Sequence, residues 1–249
     1  MAGIIELDNV SFSAQNQDIV RGVSFTFEEG KATALVGSSG CGKSTVLKLA
    51  AGLLLPTGGR VSFRGKDVLS MSRQENLAFR KEAAMIFQDS ALWANQNLYQ
   101  ILELPLRIHF PAMQSAERER RIRAVLAEVG YRRTLSLRPA QLSMGEQKLI
   151  AFARAMMCQP RILFLDEWTE SVDDSTAHRL INIVQHHCDE GKTAIFVSHD
   201  FHIVRIIADY IVMILDGKIF RSFTKDQIES DEDLAHHIER EFHHEGKLK

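Results

Sequence analysis

The chain has 249 residues, of which 45% are hydrophobic and 25% charged, and its formal net charge is −2. Such a composition predicts a globular protein with a substantial core, and the small net charge gives no electrostatic argument for a nucleic-acid partner. The longest apolar runs, such as Tyr210–Leu215, are far shorter than the roughly 20 residues of a membrane-spanning helix. The N-terminus lacks a signal-peptide pattern, and three cysteines without paired or metal-type spacing favour a reducing, cytoplasmic setting.

Four elements are predicted in the first quarter of the chain. Residues 4–27 alternate apolar and polar side chains around the turn "AQNQD", which predicts two antiparallel strands. The apolar run "ATALVG" at 32–37 predicts a strand buried on both faces. The segment "TVLKLAAGLL" at 45–54 predicts a helix, stopped by Pro56 and the glycines that follow.

The middle of the chain, residues 90–157, has a helical and more charged pattern. One predicted helix ends at Gly130, a natural C-cap, and its apolar side holds Ile122, Val125, Leu126 and Val129. The charged run 117–123 is interpreted as the solvated face of that helix, with a binding patch as the alternative.

Buried-strand patterns return after Pro160, in "RILFLDE", "TAIFVSH" and "YIVMILDG", with helical segments between them. Alternating strands and helices predict an α/β fold with a mainly parallel sheet. We expect one domain, 1–249. Its α/β core would comprise 1–89 and 158–249, and its helical insert would comprise 90–157.

The stretch "GSSGCGKS" fits the phosphate-loop pattern G-x-x-x-x-G-K-[ST], and it lies between a predicted strand and a predicted helix. Glycines let backbone N–H groups approach phosphate oxygens, and the helix N-terminus adds partial positive charge. Lys43 would reach the β- and γ-phosphates, and the Ser44 hydroxyl would ligate Mg²⁺. The alternative, a plain glycine-rich turn, leaves Lys43 unexplained.

Two carboxylates, Asp166 and Glu167, end the predicted strand "ILFLD". A carboxylate there can hold Mg²⁺, and a second one can activate a water molecule for attack on the γ-phosphate. Polar pairs often end strands, so the motif is weak alone. Together with the phosphate loop it predicts nucleotide hydrolysis.

The segment "LSMGEQ" at 142–147 resembles the signature motif L-S-G-G-Q of ATP-binding cassette (ABC) ATPases. Gln88 in "MIFQDS" resembles that family's Q-loop glutamine, "SVDD" at 171–174 its D-loop, and His199 in "FVSHD" its switch histidine. The resemblance covers nearly the whole chain. It implies a P-loop NTPase (RecA-like) fold with an antiparallel β subdomain and a helical insert.

The resemblance also implies a head-to-tail homodimer with two ATP molecules between its subunits. The implied catalytic residues are Glu167 as base, with His199, Gln88 and Lys43. Asp173 would communicate across the dimer, and Mg²⁺ would be held by Ser44, Gln88 and Asp166. The implied ATP contacts are Gly37, Ser38, Ser39, Gly40, Cys41, Gly42, Lys43, Ser44 and Thr45 of one subunit, with Ser143, Gly145 and Glu146 of the other.

Four residues depart from the family pattern. Met144 stands in place of the first signature glycine, Glu146 in place of glutamine, and Trp168 in place of a proline. Ala14 falls where many cassettes stack an aromatic ring on adenine. Phe12 is a candidate substitute, although strand alternation favours the core for it. Since Lys43, Asp166, Glu167 and His199 are present, we expect an active ATPase, a slow one if these departures weaken the site.

A cassette with no predicted membrane span resembles subunits that work beneath a membrane permease, on the inner face of the cell membrane. The segment 88–99 resembles the permease-docking region of importer-type cassettes. Within it, Leu92 and Trp93 fit either docking or packing on the helical insert. The phrases "NLYQILELPLR" and "IADYIVMILDGKI" resemble cassettes of the phospholipid-trafficking Mla (MCE-associated) group, although amino-acid and lipoprotein-releasing cassettes share much of them.

Two rival classes stay open. One is a soluble ABC ATPase of translation or DNA repair, and the other is a nucleotide-binding module with little or no hydrolysis. The histidine pairs at 236–237 and 243–244 are interpreted as part of an exposed C-terminal helix rather than a metal site.

Overall fold

The computed structural model describes residues 3–230, so the histidine pairs at 236–237 and 243–244 lie outside the described residues. The described residues divide into two compact units: the first comprises 3–76 and 187–230, and the second comprises 77–186. No helix within residues 3–230 is both long enough and apolar enough to cross a membrane.

The first unit contains a four-stranded antiparallel sheet, in the order β2-β1-β4-β5, with bounds Gly3–Ala14 (β1), Gln17–Glu28 (β2), Gly58–Phe63 (β4) and Lys66–Asp67 (β5). The first two strands confirm the predicted hairpin. Gln15 and Asn16 form its turn with φ values of 51° and 60°, as a tight two-residue hairpin turn requires.

The second sheet of this unit has its strands at Ala32–Val36 (β3), Thr193–Val197 (β8), Tyr210–Leu215 (β9) and Lys218–Thr224 (β10). β3 lies between β8 and β9 and runs parallel to both, while β10 pairs antiparallel with β9. Every residue of β3 and β8 is buried, which confirms the predictions made from their apolar runs. The helices of this unit are Lys43–Ala50 (α1), Phe201–Ile207 (α7) and Lys225–Glu229 (α8).

Helix α1 is shorter than the sequence predicts: it ends at Ala50 and not near Leu54. Gly52 adopts φ +61°, and its N–H donates to the carbonyl of Leu49, while the N–H of Leu53 donates to that of Lys48. This pair of bonds is a Schellman motif, which satisfies the last carbonyls of a helix. Gly52 therefore ends the helix four residues before Pro56.

The second unit contains a parallel pair of strands, Ala83–Ile86 (β6) and Ile162–Asp166 (β7), and the helices Leu98–His109 (α3), Ser115–Val129 (α4) and Met144–Met156 (α5). Arg73–Glu82 (α2) and Asp174–Asp189 (α6) carry the chain between the two units. α4 buries the four predicted apolar residues and ends at Gly130 with φ +77°, as predicted. The charged run 117–123 is mostly exposed, as expected of a solvated face. The division into a core and an insert at 90–157 stays a prediction.

Candidate nucleotide site

The loop between β3 and α1 is shaped by glycines that no other residue could replace without a clash. Gly37 has φ +142°, and a Cβ there would lie 2.1 Å from the carbonyl oxygen of Ile214. Gly42 has φ +104°, and a Cβ there would lie 2.9 Å from the carbonyl oxygen of Ile19. The loop therefore packs tightly on its inner side because these residues lack side chains.

The outer side of the same loop is open. Ser38, Ser39 and Gly40 are exposed, and a Cβ on Gly40 would meet no atom within 4 Å. Within residues 3–230, the N–H groups of Ser39, Gly40 and Gly42 donate to no protein acceptor, and α1 begins without a side-chain cap. Unpaired backbone donors at a helix N-terminus form a cradle for an anion, so the loop fits phosphate oxygens.

Lys43 is buried in this loop, with only 5% of its surface exposed. Its Nζ donates to the carbonyl oxygens of Gly37 and Ser38, the latter at 2.9 Å. The loop is anchored from behind, because the Gly217 N–H donates to the Cys41 carbonyl at 3.0 Å. The ammonium group is thus held against the loop backbone, beside the unpaired N–H groups.

His199 lies at the same edge of the sheet as the phosphate loop. It lies two residues after the end of β8, which pairs in parallel with β3 so that Val197 lies opposite Leu35. Since the carboxyl ends of parallel neighbouring strands meet at one edge, the loop after β3 and the residue after β8 are neighbours. The His199 side chain is exposed, and Asp200 caps α7 by accepting from the His202 N–H at 2.8 Å.

In the second unit, the ends of β6 and β7 bring together Gln88, Glu167 and Glu170, here called the Gln88 cluster. The two strands are parallel, with Ile86 opposite Leu165. The Gln88 side-chain amide donates to Glu167 Oε2 at 3.0 Å and to Glu170 Oε2 at 2.7 Å. Asp166, at the last position of β7, is 2% exposed. The predicted partners Gln88, Asp166 and Glu167 therefore lie at one sheet edge, and Glu170 is an addition that the sequence did not indicate.

The signature segment, residues 142–147, contains the start of a helix, since α5 begins at Met144. Ser143 is the N-cap of α5, and its Oγ accepts from the Glu146 N–H at 3.2 Å, while Glu146 Oε2 accepts from the Ser143 N–H at 2.9 Å. This S-x-x-E capping box is readable in the sequence and was missed. It gives the departure from glutamine a local explanation, since either residue completes the box.

Arg133 forms an ion pair with Glu146, which a glutamine at this position could not form. Its Nη1 donates to both carboxylate oxygens of Glu146, each at 2.9 Å. The Ser143 N–H, together with Arg133, lowers the pKa of Glu146. Met144 is 62% exposed, so its side chain faces solvent in this chain. The signature segment thus presents a capped, ion-paired helix start.

Asp173 lies close to the signature segment, with its Oδ2 3.8 Å from the position of a Cβ on Gly145. Its carboxylate accepts from the Ser175 hydroxyl, and from both the N–H and the hydroxyl of Thr176, and these bonds lower its pKa. Asp173 therefore caps the start of α6 from within its own chain.

The remaining departures are Ala14 and Trp168, and Ala14 is half-buried at the end of β1. Trp168 is fully buried, so the residue after Glu167 is a core side chain. The expectation that strand alternation sends Phe12 to the core is wrong, because Phe12 is only half-buried. The register of β1 against β2 shifts on both sides of Phe12, and such irregularities redirect a side chain.

Leu92 and Trp93 have features of both predicted roles, permease docking and packing on the helical insert. The Trp93 ring is 43% exposed, yet the Arg154 guanidinium lies over it, 5.4 Å from the ring centroid. Leu92 is half-buried. The segment thus contacts α5 and still presents apolar surface.

A cavity of about 620 Å³ lies within the second unit, against α4. Apolar side chains such as Ile122 and Leu126 are joined there by Tyr99 of the segment 88–99. The charged lining is mostly basic, with one carboxylate, Glu119, against Arg123, Arg132, Arg133 and Arg179.

Comparisons with known proteins agree with this arrangement. The sequence model of the ABC transporter family matches residues 20–170. The phospholipid transport ATP-binding protein MlaF of Haemophilus influenzae is 32% identical over 93% of this chain and 88% of its own length. The ABC transporter ATP-binding protein YejF of Escherichia coli is 34% identical over 81% of this chain, which spans 39% of YejF.

A solved structure, the dimeric ATP-binding cassette MJ0796 bound to ADP and Pi in a post-hydrolysis state, superposes with a TM-score of 0.81. It is 27% identical and covers 89% of this chain and 98% of its own. ABC cassettes bind and hydrolyse ATP and work as dimers with membrane permeases. By family match, sequence identity and fold, the chain belongs to the ATP-binding cassette family of transporter ATPases.

Proposed function

We propose that this chain is the ATP-hydrolysing subunit of an ABC transporter, which dimerises around two ATP molecules and drives a membrane permease from the inner face of the cell membrane. The observation that carries the proposal is the Gln88 cluster, a hydrogen-bonded amide and carboxylate pair placed directly after two parallel strands. The unpaired backbone N–H groups of the phosphate loop provide the donors that nucleotide phosphates need for binding.

In this proposal residues 37–45 hold the phosphates of ATP. Unpaired backbone N–H groups and the ammonium group of Lys43 bind the phosphate oxygens. Ser44, Gln88 and Asp166 supply oxygen ligands for Mg²⁺, which neutralises phosphate charge when bound. The described residues hold no cluster of three His, Cys, Asp or Glu side chains near enough to bind a metal, which fits an ion that takes much of its coordination from phosphate and water.

Glu167 acts as the general base that takes a proton from the attacking water. The Gln88 amide orients that carboxylate, as the 3.0 Å bond between them supports. His199 donates a hydrogen bond to the γ-phosphate. In the dimer, Ser143 and the N–H of Gly145 donate to the γ-phosphate bound by the partner subunit. Glu146 acts through the capping box, because a second anion beside the phosphate would be repelled.

The substitution Glu167→Gln tests this assignment in the purified chain. Because the amide cannot accept the proton, we expect phosphate release to fall by about 10²–10⁴-fold while ATP still binds and an ATP-bound dimer accumulates. Phosphate release and light scattering measure these two effects. Glu170→Gln is the matched control, since Glu170 contacts the same Gln88 amide, and its loss should be smaller. Wild-type hydrolysis by Glu167→Gln would remove the catalytic assignment, whereas a wild-type chain that hydrolyses no ATP would favour the nucleotide-binding module.

Permease docking is assigned to the segment 88–99 and the adjoining cavity. Trp93 offers exposed apolar surface, and Tyr99 joins the segment to the cavity wall. The excess of arginine over glutamate in the lining fits a partner helix that carries both apolar and acidic side chains.

Phospholipid is the cargo class that we propose. The relatives named for phospholipid transport align over 81–88% of their own length, whereas the dipeptide transporter subunit DppF of Escherichia coli aligns over 63%. The identity values themselves, 32–35%, do not separate the cargo classes.

Purification of the chain with its membrane partner tests both assignments. We expect an integral membrane protein to co-purify and the complex to contain bound phospholipid. Trp93→Asp should abolish the co-purification, while Phe220→Asp, which alters another exposed ring, should not. Intact assembly with Trp93→Asp would exclude this docking surface, and a complex free of phospholipid would exclude the cargo.

A further inference from the structure

We propose that Lys148 is a positioning residue for hydrolysis: its buried ammonium group holds the backbone carbonyls that end β6 and β7, and thereby fixes Gln88 and Glu167. The inference rests on the proposed function, since it concerns how those two side chains are held. Lys148 belongs to none of the motifs that the sequence indicated.

The geometry places one cation on three carbonyl oxygens. Lys148 Nζ donates to the carbonyls of Phe87 at 3.3 Å, of Gln88 at short range, and of Glu167 at 3.5 Å. Only 2% of the Lys148 surface is exposed. Its acceptors come from segments 60 and 19 residues away in the sequence, so this side chain ties two strand ends to a third element.

The third element is the helix that begins in the signature segment. Lys148 lies five residues after the N-cap Ser143, little more than one turn into α5. Six residues further along α5, Arg154 donates to the carbonyls of Ala91 at 2.6 Å and Ser90 at 3.1 Å. The helix therefore carries two cations, and both bind backbone carbonyls of the β6–α3 connection.

The carbonyls that these cations bind belong in part to strained residues. Glu167 has φ +45°, Ser90 φ +62° and Ala91 φ +45°, the left-handed region that non-glycine residues seldom adopt. Such conformations cost about 1–3 kcal/mol each and persist only where surrounding contacts fix them. Lys148 supplies one of those contacts at Glu167, so its loss should release the backbone that aims the carboxylate.

Nearby carboxylates offset part of the cost of burying the Lys148 ammonium group. Burial lowers the pKa of Lys148, and the carboxylates of Glu170, Asp89, Asp166 and Glu167 act in the opposite direction. A buried ammonium with three acceptors and four neighbouring carboxylates is well compensated, whereas an apolar side chain at 148 would leave strand-end carbonyls with fewer donors.

The test compares Lys148→Met, Lys148→Arg and a core control, Val129→Ala, in the purified chain. Since a displaced catalytic group can lower turnover by about a hundredfold, we expect Lys148→Met to reduce kcat by about tenfold to a hundredfold. Its ATP dissociation constant should stay within about threefold, because the phosphate loop is untouched. Lys148→Arg, which keeps the donors, should recover most of kcat. Val129→Ala, which also lowers stability, should leave kcat nearly unchanged.

A second readout does not depend on hydrolysis. The chain has two tryptophans, Trp93 and Trp168, so a Trp93→Phe background leaves only the buried ring next to Glu167. In that background Lys148→Met should increase acrylamide quenching of Trp168, and Val129→Ala should not. Unchanged quenching would overturn the proposal, as would wild-type kcat in Lys148→Met or an arginine variant no better than methionine. If wild type itself fails to hydrolyse ATP, the proposed function fails, and the quenching result still decides the role of Lys148.

Discussion

The phosphate loop and the Gln88 cluster are both polar sites after buried strands, but they are built in opposite ways. In the loop, the donors are backbone N–H groups, and glycines at 37 and 42 keep side chains out. In the cluster, the polar atoms belong to side chains that bind one another, and a buried lysine holds the backbone beneath them.

The difference follows from what each region would bind or do. Phosphate oxygens need many donors at short range, which a bare backbone supplies without side-chain entropy. Proton transfer needs one carboxylate at a defined position, which requires neighbours that restrict it. Substitutions should therefore act through backbone sterics in the loop and through side-chain contacts in the second unit.

The largest expected effect on stability tests whether close backbone packing shapes the phosphate loop. Gly37→Ala combines a positive φ with a methyl group 2.1 Å from the Ile214 oxygen, so unfolding free energy should fall by about 2–5 kcal/mol. Gly40→Ala shares the positive φ, at +77°, without any atom within 4 Å, and should lose about 1 kcal/mol. Urea unfolding of both variants measures the difference. Equal losses would show that backbone conformation, and not close packing, shapes the loop.

A smaller effect on stability tests whether side-chain contacts hold the signature segment. Ser143→Ala removes the N-cap oxygen and should lower the unfolding free energy by about 1 kcal/mol. Glu146→Gln keeps an acceptor for the Ser143 N–H and loses only the charge that faces Arg133, so its loss should be smaller. Thermal melts at pH 7 compare the two. A glutamine variant less stable than the alanine variant would contradict the capping explanation.

The same glutamine variant should alter the acid limb of stability. The pKa of Glu146 is lowered from its ordinary value of 4.5, first by the Ser143 N–H and then by Arg133. A carboxyl whose pKa is lowered by folding stabilises the fold above its ordinary pKa and loses that contribution as pH falls through the folded value. The stability difference between wild type and Glu146→Gln should therefore begin to decrease as pH falls below 4.5 and vanish below the lower pKa of the folded state. If the stability difference persists in acid, its cause is the shape of the side chain at 146 and not its charge.

The elements that could be predicted from the sequence are those whose signal is local. The buried strands β3, β7 and β8 are continuous apolar runs, and α4 has both an apolar stripe and a C-capping glycine. Several elements were not predicted, β6 and α2 among them. β6 has only the four residues "AAMI", two of them alanine, and α2 buries only Phe79.

The site divides in the same way. The phosphate loop and the strand-end carboxylates are compact motifs, so their chemistry could be predicted from spacing. Lys148 could not, because its acceptors are 19–61 residues away along the chain. Its only signal is a position on the buried face of α5 with Ala151 and Ala155, three and seven residues later. That spacing indicates burial and says nothing about which carbonyls the ammonium group reaches.

The Ile19 carbonyl, against which Gly42 packs, has a wider mechanical meaning. A Cβ on Gly217 would lie 2.4 Å from the same oxygen, and the Arg21 N–H donates to the Gly217 carbonyl at 2.8 Å. Strand β2, the phosphate loop and the β9–β10 turn therefore pack closely together at the Ile19 carbonyl oxygen. A shift of the antiparallel sheet would therefore disturb the packing of the loop, so close backbone packing couples whatever contacts the sheet to whatever sits on the loop.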